Sequence, residues 1–190
     1  NMAFVNRQMI VHKVRDAFAA IFGEKAESLG METVYDVTHN TAKLETHTID
    51  GEDRQVIIHR KGATRAFGPG MEDVPEEYRT VGQPVIVGGS METGSYLLTG
   101  AETGKDAFFT TAHGSGRVMG RNQAKKQFHG EEIKQNLLDR GIYVRASSGP
   151  GLAEEAGGAY KNIDEVVESV QRAGLSRKVV RLRPIGNIKG

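Results

Sequence analysis

The sequence predicts an α+β fold, with mixed sheets, surrounding helices and glycine-rich loops at the active site. Strand-like and helix-like stretches follow one another without strict βαβ alternation, which disfavours a doubly wound parallel sheet. Glycine supplies 24 of 190 residues, well above the average of about 7%. These glycines gather at 62–70, 88–94, 114–120 and 149–158, either as a loop-built ligand site or as a set of tight turns.

Residues 6–22 read as an amphipathic helix, with Ile10, Val14, Phe18 and Ile21/Phe22 on one face and Gly23 as its stop. Residues 32–37 lean towards β and run into His39-Asn40, and 44–47 read as a short helix before the Asp50-Gly51 turn. Residues 55–59 (QVIIH) form a largely buried strand, followed by a glycine-rich loop over 61–74. The apolar run 84–87 is a strand opening into Gly88-Gly89-Ser90, and 96–98 and 107–111 are further strands. Helices follow at 123–128 and 131–140, then a strand at 142–145. A helix over 163–173 has Asn162 as its cap, with Glu165 in capping-box register. A last strand spans 178–182.

Lys and Arg total 25 against 24 for Asp and Glu, so any basic surface must come from local clustering. Cysteine is absent, which excludes disulfides and thiolate metal ligands within the chain. No apolar run approaches the roughly 18 residues that span a bilayer, and NMAFVNRQMI lacks the pattern of a signal peptide. A soluble cytoplasmic protein without membrane contact is the expectation.

Four stretches carry chemistry. Gly88-Gly89-Ser90-Met91-Glu92-Thr93-Gly94-Ser95 follows a strand, as phosphate loops do, yet has neither P-loop nor dinucleotide spacing; taken alone, a glycine-rich hairpin is the favoured reading. In Thr111-Ala112-His113-Gly114-Ser115-Gly116-Arg117, a histidine at a strand end meets glycines. Arg117, Arg121 and Lys125 recur at helical spacing, giving a cationic stripe suited to phosphate or simply a solvated face. His39-Asn40 pairs a potential metal nitrogen with an amide, although no second ligand sits nearby in sequence. His59-Arg60-Lys61-Gly62-Ala63-Thr64-Arg65-Ala66 is either a polyanion cradle or a charged surface loop. His12, His47 and His129 fall on expected helices or turns and are given no role.

Taken in order, HNTAKLE, HRKGATRA, QPVIVGGSM, AHGSGRVMGR, EEAGGAYKNIDEVV and RPIGNIKG resemble the RtcB family, the tRNA-splicing ligases, over nearly the whole chain. The resemblance implies that His113 is the residue that becomes guanylylated, that His39 is a manganese ligand and that Asn40 contacts guanylate. It implies that Gly88, Gly89, Ser90, Met91, Ser95, Gly114, Ser115 and Gly116 surround the nucleotide, and that Tyr160 and Lys189 hold the guanine base. Arg60, Lys61, Arg65, Arg117 and Arg121 are the implied contacts for RNA phosphates.

This chain has Gly88, Ser115 and Gly157 where the family usually has Pro, Ala and Pro. The family's Asp and Cys metal ligands and its G-N-H-F segment precede the part matched here. Residues 1–190 therefore read as the C-terminal portion of a single catalytic domain whose N-terminal metal-binding portion is absent from the chain. The implied reaction is GTP- and manganese-dependent joining of RNA 3′-phosphate or 2′,3′-cyclic phosphate ends to 5′-hydroxyl ends, in tRNA splicing and RNA repair. Its partners are RNA (tRNA halves or broken RNA), GTP and an archease-type activating protein. No K-x-D-G lysine ligase motif occurs. The alternative is a non-catalytic guanine-nucleotide or RNA-binding fragment.

Overall fold

Thr46, Thr48 and Ile49 favour extended backbone, and Asp50-Gly51 takes positive φ at both positions (54° and 84°), the requirement of a type I′ hairpin turn. The computed structural model, which describes residues 2–189, accordingly forms a hairpin there: β1 (Asn40–Ile49) pairs antiparallel with β2 (Glu52–Lys61), from Asn40↔Lys61 to Ile49↔Glu52. The short helix expected at 44–47 is thus a strand. Alternation puts Glu45, His47 and Arg60 on the buried face while Leu44 and Ile57, cross-strand partners, are exposed. The strand at 55–59 is half-exposed rather than largely buried.

The chain divides into a unit Asn1–Asp36 and a unit Val37–Gly190. In the first, α1 (Met2–Phe22) ends at Gly23, whose φ is 70°. Arg7 forms a two-bonded pair with Asp36, and Arg15 donates to the Met31 carbonyl and Thr33. The apolar residues Ile10, Val14, Phe18, Ile21 and Phe22 are exposed. No strand forms over 32–37.

In the second unit β3 (Ala63–Arg65) pairs antiparallel with β6 (Thr110–Ala112), within stretches expected to be a loop and a longer strand. β4 (Pro84–Gly88), β5 (Ser95–Gly100) and β8 (Ser176–Leu182) make an antiparallel sheet in the order β4-β5-β8. α5 (Ile163–Arg172) covers one face: Ile163, Val167 and Val170, at helical spacing, bury against Val85, Val87 and Leu98. Asn162 caps this helix by accepting from the Asp164 amide.

α2 (Arg121–Gln127), α3 (Gly130–Asp139) and α4 (Gly149–Glu154) gather beside a two-stranded parallel sheet of β7 (Tyr143–Ala146) and β9 (Gly186–Lys189). Ile133, Leu137, Ile142, Val144, Leu152 and Met91 form its core. Each such side chain contributes about 1.5–3 kcal/mol by leaving water. α4 and β9 carry no strong periodic signal and were not expected from the sequence. The α+β class stands. No helix among the described residues is long and apolar enough to cross a membrane.

Candidate active site

β6 delivers His113 immediately after its last residue, and β3, its partner, delivers Gly62 immediately before its first. Gly62 has φ 63°, and a side-chain carbon there would lie 3.7 Å from Nε2 of His113. The Gly62 amide donates to the carbonyl of His39 at 2.9 Å, which fixes the residue just before β1. Thr64 Oγ1 donates to the Thr38 carbonyl at 2.7 Å and secures it further. The result brings two distant histidines together: the rings of His39 and His113 stack with centroids 4.5 Å apart and planes 7° apart. Burial, then the neighbouring His39 and Lys61, hold the His113 imidazole below the usual histidine range. At neutral pH it is therefore uncharged, the form in which a ring nitrogen has a free lone pair.

The end of β4 lies against the residues following His113. Gly88 N–H donates to the His113 carbonyl at 3.2 Å, and Ser115 N–H donates to the Gly88 carbonyl at 2.7 Å. A side-chain carbon on Gly114 would approach the Gly88 oxygen to 3.1 Å, so glycine permits this pairing. Beyond it the loop closes on itself: Gly89 N–H donates to the Gly94 carbonyl and Ser90 N–H to Thr93 Oγ1, both at 2.9 Å. Ser95 begins β5 opposite Gly88. The Met91 side chain is buried in the core with Leu137 and Val144, which anchors the loop from beneath. Among the described residues Ser115 Oγ is buried without a hydrogen-bond partner. A buried hydroxyl is rarely left so in a finished site.

A second cluster forms around Glu155. Tyr160 Oη donates to Glu155 Oε2 at 2.5 Å, and Lys189 Nζ lies 3.7 Å from the same oxygen. Arg117 stacks over the Tyr160 ring at 4.8 Å and donates to its oxygen at 2.9 Å. Burial and Glu155 push the Tyr160 hydroxyl above its ordinary value. Tyr160 and Lys189, distant in sequence, thus meet at one carboxylate. Glu155 was missed by the sequence reading, although it stands within the EEAGGAYK motif.

The basic residues separate into two groups. Arg60 is corrected: it is 3% exposed, its guanidinium pairs two-pronged with Glu45 at 2.6 and 2.9 Å, and it also donates to Thr110 Oγ1 and the Phe108 carbonyl. It is a buried tie between the hairpin and the approach to β6. Arg117 is likewise committed, to Tyr160, Glu155 and the carbonyls of Met119 and Glu154, and it precedes α2 rather than sharing a helical stripe with Arg121. Arg65 is half-buried, bonded to Gln83 and laid over Phe67. Lys61 and Arg121 are exposed. His47, given no role from sequence, is buried against Glu45 at 2.9 Å.

Asn40 offers its side-chain oxygen to the Gly62 amide at 3.4 Å, on the same turn as His39. Among the described residues no three His, Cys, Asp or Glu side chains come together to hold a metal ion.

The arrangement is that of an α+β domain with a neutral histidine set among glycine-lined loops. Residues 1–190 match the family model described as tRNA-splicing ligase RtcB, and the chain belongs to the RtcB family. It is 56% identical over 191 residues to the tRNA-splicing ligase RtcB of Archaeoglobus fulgidus, covering all of this chain and 40% of that relative. It is 55% identical to the protein of the same name from Pyrococcus abyssi and 51% identical to that from Methanocaldococcus jannaschii, again over the whole chain but covering 21% and 20% of them. The chain thus spans less than half the length of these relatives.

Proposed function

We propose that the protein to which this chain belongs is a GTP-dependent RNA ligase acting in tRNA splicing and RNA repair, with His113 as its nucleophile. The observation that carries the reading is the neutral His113 ring, held between His39 and the Gly88–Gly114 pairing with an unpartnered Ser115 hydroxyl two residues on. That hydroxyl and the close-set glycine backbone suit a phosphate-bearing substrate.

In the proposed reaction a ring nitrogen of His113 attacks the α-phosphorus of GTP. An N–P bond forms as the bond to the pyrophosphate oxygen breaks, and pyrophosphate leaves with the electron pair. An oxygen of the RNA 3′-phosphate then takes the guanylate from His113 and frees the ring. The RNA 5′-hydroxyl oxygen attacks the 3′-phosphorus, loses its proton and expels GMP. A 2′,3′-cyclic end must first be opened to the 3′-phosphate. Tyr160 and Lys189 serve the guanine base, with the ammonium donating to the O6 carbonyl that adenine lacks.

Manganese belongs to the proposal through His39, which would supply one nitrogen. The described residues do not by themselves make a manganese site, and the remaining ligands would come from the additional length seen in the relatives. An archease-type protein is the proposed activating partner. The test is ligation of a 3′-phosphate RNA to a 5′-hydroxyl RNA by the intact protein with GTP and manganese. Joined product that disappears in His113→Ala supports the reading. Product that is independent of GTP, or undiminished in His113→Ala, contradicts it.

A further inference from the structure

Three guanidinium groups converge where no role has been assigned. A cavity of about 410 Å³ opens between the 88–95 loop, the end of α3 and the end of β8, lined by Glu92, Thr93, Arg140, Arg181, Arg183 and Pro184. Its sole carboxylate, Glu92, is already engaged: Oε1 accepts from the Gly157 amide at 2.9 Å and Oε2 lies 3.4 Å from Arg140. Arg140 is anchored as well, donating to the Glu92 carbonyl at 2.8 Å. Arg181 lies over the Tyr96 ring, with Asp164 only at 3.7 Å. Arg183 has neither a hydrogen bond nor an ion pair among the described residues. The pocket therefore carries net positive charge with unspent donors, and the guanidinium fork matches phosphate oxygens two at a time.

The wall of this cavity is the far end of the loop whose near end meets His113. Gly94 sits so tightly on β8 that a side-chain carbon there would clash with the Leu182 carbonyl, which joins the loop to the strand that carries Arg181 and leads directly into Arg183. We infer that this pocket binds backbone phosphates of the RNA substrate and seats the strand next to the nucleotide loop. The inference rests on the RNA-ligase reading above. The ligand chemistry is a phosphate oxygen, and its other possible source is the phosphate tail of GTP.

The experiment measures binding of a short fluorescein-labelled RNA bearing a 3′-phosphate to the intact protein, by anisotropy across a salt series. Transfer of label from α-labelled GTP to protein and thermal melting are followed in parallel. Arg181→Glu/Arg183→Glu, which leaves the anchored Arg140 in place, is expected to weaken RNA binding roughly tenfold or more. It should also flatten the slope of log affinity against log salt by about 0.7 for each lost phosphate contact. Melting temperature and GTP labelling should be unchanged. Arg181→Lys/Arg183→Lys should keep most of the salt slope. RNA binding unchanged in the reversed variant overturns the pocket and leaves the ligase reading intact. A raised GTP requirement with normal RNA binding overturns it in favour of the nucleotide's phosphates. Wild-type protein that binds no RNA removes both the pocket and the reading beneath it.

Discussion

The rings of His39 and His113 lie parallel, with centroids 4.5 Å apart, although one precedes β1 and the other follows β6. Burial and then the neighbouring His39 disfavour protonation of His113, which keeps its ring in the form with a free nitrogen lone pair. Replacing His39 with Ala removes both this neighbour and the proposed metal nitrogen. The exposed position predicts an unchanged melting temperature and a labelling rate down by about tenfold to a hundredfold. Stopped labelling time courses with GTP in excess measure it, and an unchanged rate would remove His39 from the site.

Ser115 supplies a hydroxyl that is buried without a hydrogen-bond partner among the described residues. Ser115→Ala relieves an unsatisfied group, so the ligand-free protein should be as stable as wild type, or more so by about 1 kcal/mol. If nucleotide phosphate satisfies the hydroxyl, the same variant should require several-fold more GTP. Denaturant melts and a GTP titration read the two effects, and a GTP requirement equal to wild type would give the hydroxyl no ligand.

Glu45, Arg60 and His47 form a buried ionic group beneath Phe108 and Phe109, both held at positive φ. Breaking such a pair from one side leaves a charge without compensation. Glu45→Ala is therefore expected to cost about 3–5 kcal/mol by chemical denaturation, while a surface change such as Glu52→Ala should cost little.

The same group sets a pH dependence. Burial pushes the Glu45 carboxyl up, but hydrogen bonds and charge from Arg60 and His47 outweigh it and hold the group below its ordinary 4.5. The unfolded chain then binds the extra proton first. The stability Glu45 contributes is present above pH 4.5 and is lost as pH falls through its lower folded value. Denaturation midpoints below pH 4.5 should fall more steeply in wild type than in Glu45→Gln, and parallel profiles would contradict this.

Much of this was legible in the sequence and some was not, for physical reasons. Helix α5 announced itself through Ile163, Val167 and Val170 and the Asn162 cap. The strand ahead of Gly88 did so through an unbroken apolar run. The 44–47 stretch misled because Leu44 and Glu45 are good helix formers, whereas the Asp-Gly turn and the flanking threonines decide the local structure. Arg60 read as a surface cation because composition cannot tell which strand face is buried. Its alternation with Glu45 and His47 appears only once β1 and β2 are paired. The meeting of Tyr160 and Lys189 at Glu155 requires β9 to pair with β7, a tertiary contact that four residues of sequence do not foretell.

That meeting predicts base selection. If Lys189 donates to the guanine O6 as proposed, Lys189→Ala removes one charged hydrogen bond of about 1.5–3 kcal/mol, and discrimination for GTP over ATP should fall roughly tenfold to a hundredfold. Competition between the two nucleotides for labelling measures it. If Lys189→Ala keeps the wild-type preference, the lysine has no part in the base site.

The most direct measurement is to incubate the intact protein with α-labelled GTP and manganese, digest it, and locate the adduct by peptide mass spectrometry. The account predicts one acid-labile guanylate on the peptide containing His113, and none in His113→Ala of unchanged melting temperature. Guanylate on a lysine or another histidine, or an adduct that survives in His113→Ala, would contradict it.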